Sequence, residues 1–144
     1  MTVVGGVVYV VDRGNSLVRA FSKKSGDALF SFGSNSTFTD PRFITSGPGE
    51  RRGDPNLLYV TDDHRIQSFS SLDGSPRGQT LGGVSAGAAA GSFNNPIGIF
   101  LREGFEGDRS RQIIVADDFN NRVQIFEART DCEEGGGGEN YGEL

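Results

Sequence analysis

The stretch Ile113-Ile114-Val115-Ala116-Asp117-Asp118-Phe119-Asn120-Asn121-Arg122-Val123-Gln124-Ile125-Phe126 decides the fold, because the chain carries it three times. An earlier copy reads Leu57-Leu58-Tyr59-Val60-Thr61-Asp62-Asp63-His64-Arg65-Ile66-Gln67-Ser68-Phe69. The first reads Val7-Val8-Tyr9-Val10-Val11-Asp12-Arg13-Gly14-Asn15-Ser16-Leu17-Val18-Arg19-Ala20-Phe21. Self-similarity at a period of roughly 40 to 55 residues marks a repeat architecture, in which one supersecondary unit stacks on the next.

Each copy is an apolar run, an Asp, a short polar turn and an alternating run ending near Phe. The first run is rich in Val, Ile and Tyr and reads as a strand buried on both faces. In the second run Val123 and Ile125 point one way, Gln124 and Phe126 the other. The short turn makes the pair an antiparallel hairpin. Asp12, Asp62 and Asp117 end the first strand, where a carboxylate can accept N–H groups of the turn. Gly14-Asn15 and Asn120-Asn121 tolerate the positive φ that tight turns need. Arg65 and Arg122 open the second strand within reach of an Asp.

Two further signatures recur. Phe38-Thr39-Asp40-Pro41 and Phe93-Asn94-Asn95-Pro96 each lead into an apolar run, and Pro suits the first residue of a strand. Each is preceded by a run closing on Gly, Leu29 to Gly33 and Thr80 to Gly83. The unit therefore has four strands: after Pro, before Asp, after the turn, and before Gly. A repeated four-stranded antiparallel unit is the blade of a β-propeller.

Phe93-Asn94-Asn95-Pro96-Ile97-Gly98-Ile99, Ile114-Val115-Ala116-Asp117 and Asn120-Asn121-Arg122-Val123-Gln124-Ile125-Phe126 together resemble the NHL repeat family of β-propellers. The repeats lie near residues 7–33, 38–83 and 93–128. The resemblance implies an all-β partial propeller of about three four-stranded antiparallel blades, the first and last incomplete: strands two to four of one blade, one full blade, and strands one to three of a third. That is about half of a six-bladed ring. Such a half-ring is expected to be a portion of a longer protein, to pair with a copy of itself as a homodimer, or to stand as a short solenoid.

The charge divides the chain in two. Residues 1–130 hold all 14 Lys and Arg and as many acids, so the repeat body is formally neutral. The net charge of −5 comes from Asp131, Glu133, Glu134, Glu139 and Glu143. Residues 131–144 are acidic and Gly-rich and are expected to be disordered. Cys132, the only Cys, allows no intramolecular disulfide, so oxidising export is not indicated. Val3 to Val11 lacks a preceding basic residue and a cleavage site, and reads as a strand rather than a signal peptide. No run is long enough to span a bilayer. An intracellular, cytoplasmic location is the expectation.

The loops divide by blade face. The Asp turns and the blade-to-blade links share one face, and Ala86 to Gly91 in one link is expected to be flexible. The opposite face carries two insertions, Ser46 to Asn56 and Arg102 to Arg111. Insertions in repeat proteins gather on one face, often the binding face. Arg51, Arg52, Phe105, Arg109 and Arg111 are the candidate contacts there, since an aromatic flanked by Arg suits an interface. Asp12, Asn15, Asp62, Arg65, Asp117, Asn120, Asn121 and Arg122 are structural turn residues.

Other motifs carry less. Arg52-Gly53-Asp54 is an integrin tripeptide in adhesive proteins, but it recurs by chance. Asp62-Asp63-His64 and Asp117-Asp118 lack the spacing of a Ca²⁺ loop. His64, the only His, cannot supply a catalytic zinc site, which wants about three protein ligands. No nucleophile elbow supports a Ser-His-Asp relay. A basic, aromatic groove for single-stranded RNA is opposed by interleaved acids and a sequence pI ≈ 4.8. The expectation is therefore a non-catalytic scaffold for protein–protein interaction, with no metal or cofactor. The resemblance adds that such propellers serve as recognition parts of larger proteins, ubiquitin ligases among them. The alternatives are part of a propeller lyase or lactone hydrolase, whose site draws on all blades, and an RNA-binding propeller.

Overall fold

In the computed structural model, residues 1–49, 54–78, 80–103, 110–129 and 141–143 are described. They are all-β, with twelve strands in three antiparallel sheets and no α-helix among them. Sheet 1 contains β1 (Thr2–Val4), β2 (Val7–Asp12), β3 (Leu17–Ser22) and β4 (Ala28–Phe32), side by side in chain order. Sheet 2 repeats this with β5 (Pro41–Gly47), β6 (Leu57–Asp62), β7 (Arg65–Ser70) and β8 (Leu81–Gly82). Sheet 3 consists of β9 (Pro96–Glu103), β10 (Ser110–Asp117) and β11 (Arg122–Arg129), with the short β12 (Tyr141–Glu143) at its edge. No sheet closes on itself.

The turn after each Asp shows why the repeat sequence folds this way. Asp12 and Asp117 lead into single 3-10 turns, Arg13–Asn15 and Asp118–Asn120. The Ser16 and Asn121 N–H groups close these turns onto the Arg13 and Asp118 carbonyls. Only the closing residue is left-handed, Ser16 at φ 53° and Asn121 at φ 50°. Gly14 and Asn15 are thus not the positive-φ residues expected; Ser16 is. The second copy is two residues shorter and turns through Asp63 alone at φ 56°.

Four expectations about the ends and faces of the repeat are corrected. Sheet 1 has a first strand, because Gly5-Gly6 breaks the Val3 to Val11 run into a hairpin, with Val3 opposite Val8. Within the acidic tail, Tyr141–Glu143 pairs with Phe126, Glu127 and Ala128, so this part is strand; the rest of residues 130–144 lies outside the described residues. Among the strands whose burial is described in full, only β6 is buried throughout, as its sheet lies between the other two. Along β10, Arg111, Ile113, Val115 and Asp117 are buried, while Gln112, Ile114 and Ala116 are only partly so. The Ala86 to Gly91 link is tied down by hydrogen bonds from sheet 3.

The sheets pack face to face through two clusters. Tyr9, Val18, Ala20, Phe38, Ile44, Leu58, Val60 and Phe69 fill the space between sheets 1 and 2. Leu57, Tyr59, Ile66, Phe93, Ile99, Ile113, Val115 and Phe126 fill that between sheets 2 and 3. Successive β6 residues thus serve opposite neighbours, as strand alternation dictates. Burying each large side chain contributes about 1.5–3 kcal/mol. The aromatic rings stack at tilted or edge geometry: Phe38 on Phe69 at 5.3 Å and Phe93 on Phe126 at 5.7 Å between centroids. The Tyr9 hydroxyl, buried in the first cluster, donates to the Ser71 carbonyl across the sheets.

The glycine closing each unit makes room for the aromatic of the next. Gly82 has φ +82°, and a Cβ there would lie 2.5 Å from the His64 carbonyl oxygen and 2.6 Å from the Phe93 ring. Gly33, at φ +99°, sits against Phe38 in the same way. Gly14, by contrast, faces open space. Gly82→Ala is expected to cost about 1–3 kcal/mol through backbone strain alone, while Gly14→Ala stays within about 0.5 kcal/mol. Urea denaturation midpoints of the two variants check this; equal midpoints would contradict the close packing.

Candidate functional site

Two buried carboxylates organise the turn end of the molecule. Asp117 ends β10 with its side chain fully buried. It accepts the Asn94 N–H at 2.7 Å, Asn120 Nδ2 at 2.8 Å, Arg122 Nε at 2.8 Å and Gln124 Nε2 at 3.2 Å. Asn94 belongs to the link entering the same sheet, so the carboxylate welds link to hairpin. It accepts from that link and from side chains of the turn, rather than capping the turn's own N–H groups as the sequence suggested.

Arg122 completes the clamp from outside. Its guanidinium donates to the carbonyls of Ala88 at 2.7 Å, Ala89 at 2.9 Å and Ser92 at 2.7 Å. Asn120 reaches the Gly87 carbonyl at 2.8 Å, and Gln124 both donates to Ser92 and accepts from the Gly91 N–H. The link is thus pinned through four carbonyls, and its small side chains let three of them, those of Ala88, Ala89 and Ser92, converge on one arginine.

Sheet 2 repeats the arrangement. Asp62, also fully buried, accepts the Thr39 and Asp40 N–H groups at 2.8 and 2.7 Å. Arg65 Nε and Gln67 Nε2 both donate to it at 2.9 Å, and both residues also reach the Thr37 carbonyl. In sheet 1 the third strand carries Leu17 where Arg65 and Arg122 stand. Asp12 is instead held by Asn15 and by Arg19 Nε at 2.6 Å, and remains partly exposed. Arg13 and Arg42 converge on Asp40 and tie sheet 1 to the next link.

These contacts set the protonation behaviour. Burial would raise the Asp117 carboxyl, but Asn120, the Asn94 N–H and Arg122 outweigh it and hold the pKa below its ordinary value. Asp40 is lowered mainly by Arg13, with Arg42 adding to it. Asn15, then Arg19, lowers Asp12. His64 is partly buried; its Nδ1 accepts the Asn95 N–H at 3.3 Å, so it too ties a turn to the following link.

The predicted turn residues Asp62, Arg65, Asp117, Asn120 and Arg122 therefore meet in two clamps, with Asn121 supplying the left-handed turn, and Asp12 with Asn15 in a looser one. Of the insertion-face candidates, Arg111 alone lies among the described residues. Arg111 is buried and donates to the Pro48 and Gly49 carbonyls at 3.1 and 2.7 Å, so it joins the two insertions from within and is not a surface contact. Arg102 and Arg111 moreover lie in paired strands, which shortens the second insertion. Arg51, Arg52, Phe105 and Arg109 lie outside the described residues. Among the described residues no three His, Cys, Asp or Glu side chains are grouped to hold a metal ion, and no helix is long and apolar enough to cross a membrane.

An open half-ring is expected to leave two blade faces uncovered, and one of them, the outer face of sheet 3, holds none of the candidate contacts. Phe100, Ile114 and Ile125 are cross-strand neighbours there, next to the Ala116 and Val123 pair. Phe100 and Val123 are each 62 % exposed, and Ile97 and Ile125 are exposed beside them. A shallow cavity of about 370 Å³, largely open to solvent, lies on this face between Ile97, Ala116, Asp117, Asp118, Asn121, Arg122 and Val123. The signal was legible in the alternation of β11: four-strand units that stack on both sides leave the last unit's apolar residues uncovered. The chain matches no protein-family model, no curated protein and no solved structure.

Asp117→Ala is expected to cost about 3–5 kcal/mol, the range for orphaning a partner in a buried pair, read from denaturant midpoints. A carboxyl with a lowered folded pKa adds stability above its unfolded value, and that stability is lost as pH falls through the folded pKa. The wild-type stability is therefore expected to fall below about pH 4. In Asp117→Asn the decline should be shallower. Parallel pH profiles for the two proteins would contradict the clamp.

Proposed function

We propose that this chain is an NHL-type β-propeller segment acting as a non-catalytic scaffold for protein–protein interaction. Three antiparallel sheets stacked in chain order, each built around the same Asp-ended hairpin, support the propeller reading. The observation that carries the interaction role is the outer face of sheet 3, where Phe100, Val123, Ile125 and Ile97 stand exposed side by side. Contiguous exposed apolar surface marks an interaction site more often than isolated apolar residues do. We take this sheet face as the contact surface; Arg111, one of the insertion-loop candidates, is occupied internally.

A photoreactive benzoylphenylalanine replacing Phe100 is expected to give discrete covalent adducts with another polypeptide in cell extract. The same probe at exposed Lys24 should give none. Absence of adducts at 100, or equal yields at both positions, would contradict the reading.

A further inference from the structure

The outer face of sheet 3 has two filled counterparts in the same molecule. In each sheet, one β-strand residue pairs with the residue just before the Asp: Val18 with Val11, Ile66 with Thr61, and Val123 with Ala116. Val18 is 0 % exposed and Ile66 is 1 %, whereas Val123 is 62 % exposed. What covers the first two is the leading aromatic of the next unit. Phe38 joins Val18 in one cluster and packs on Gly33, near the Ser16 carbonyl. Phe93 joins Ile66 in the other and packs on Gly82, near the His64 carbonyl. Phe38 and Phe93 are both followed three residues later by a strand-starting Pro, Pro41 and Pro96.

On sheet 3 the corresponding walls are Ala116, Asn121, Arg122 and Val123, and they line the cavity of about 370 Å³. Asn121 has the left-handed conformation of Ser16. We propose that this cavity is a third socket of the same kind, and that it binds an extended segment of another polypeptide presenting Phe three residues ahead of Pro. The Phe ring enters beside Val123, and the strand after Pro lies along Phe100, Ile114 and Ile125. This face continues an interface the molecule already forms twice, which is why the occupant is a segment of that chemistry.

Charge at the socket narrows the segment further. Sheet 1 presents Arg13 immediately after its Asp and receives Asp40, the residue before Pro, as an ion pair. In the shorter turn of sheet 2 the residue before Pro is the neutral Asn95, whose N–H is held by His64 Nδ1. Sheet 3 presents Asp118. The residue before Pro should therefore be neutral or basic, as in Phe93-Asn94-Asn95-Pro96 and unlike Phe38-Thr39-Asp40-Pro41.

The inference rests on the scaffold reading, and a defined peptide separates the two. A fluorescent peptide of residues 91–101 is titrated onto the full chain and followed by anisotropy. Saturable binding in the micromolar range is expected, weakened at least tenfold by Phe93→Ala in the peptide, and severalfold by Asn95→Asp. Val123→Asp in the protein should weaken it by a similar tenfold. The peptide variants keep the test valid even where Val123→Asp does not fold. No binding, or binding indifferent to the Phe, overturns the socket. A chain that self-associates through this face and excludes the peptide also overturns it, in favour of a second copy. Cross-links at position 100 without peptide binding would leave the scaffold reading standing and remove this one.

Discussion

A buried carboxylate at the end of the second strand is the interaction on which the rest of the molecule depends. Asp62 and Asp117 have no exposed side-chain surface, and each is fully engaged by backbone N–H groups of a link and by an Arg and a Gln of the third strand. An unpaired buried charge would be costly, so the carboxylate is tolerated only while link and hairpin are both in place. The clamp thereby converts a flexible connection into a fixed one. It sets where Phe38 and Phe93 enter the adjoining sheet, and those aromatics build the two clusters that hold the stack together.

The stack explains the uneven burial of one repeated sequence. β6 is covered on both faces and is buried throughout, with Leu58 and Val60 serving sheet 1 and Leu57 and Tyr59 serving sheet 3. β2 and β10 carry comparable sequences with one face uncovered. Their chemistry is set by the repeat and not by local solvent, which is why Phe100, Val123 and Ile125 remain exposed. The same logic loosens the clamp in sheet 1: Asp12 is held by Asn15 and Arg19 but by no link, and it stays partly open to water.

Much of the fold was legible in the residues, for physical reasons that can be named. The Asp-ended apolar runs, the alternation of Val123 to Phe126 and the Pro at Pro41 and Pro96 each report a strand property directly, and the hairpin registers follow them. Gly5-Gly6 was the missed signal for β1, a turn dipeptide hidden in an otherwise uniform Val run. Tyr141–Glu143 gave no signal of its own, as a three-residue strand among glycines takes its structure from the β11 edge. The site was less legible. Arg111 looks like any charged loop residue until pairing with Glu103 and Ala128 places it inside the stack, against the Pro48 and Gly49 carbonyls. The link from Ala86 to Gly91 has the composition of a flexible segment, and only its carbonyl partners on Arg122 and Asn120 show why small residues are needed there.

Native-state hydrogen exchange of the link amides tests the clamp most directly. Thr39, Asp40 and Asn94 lie in links outside the strands, yet they donate to buried carboxylates. These three amides are expected to exchange as slowly as those of β6, opening only with the sheets themselves. Exchange as fast as that of exposed loop amides would mean that the links move independently of the carboxylates, and that the stack is held by side-chain packing alone.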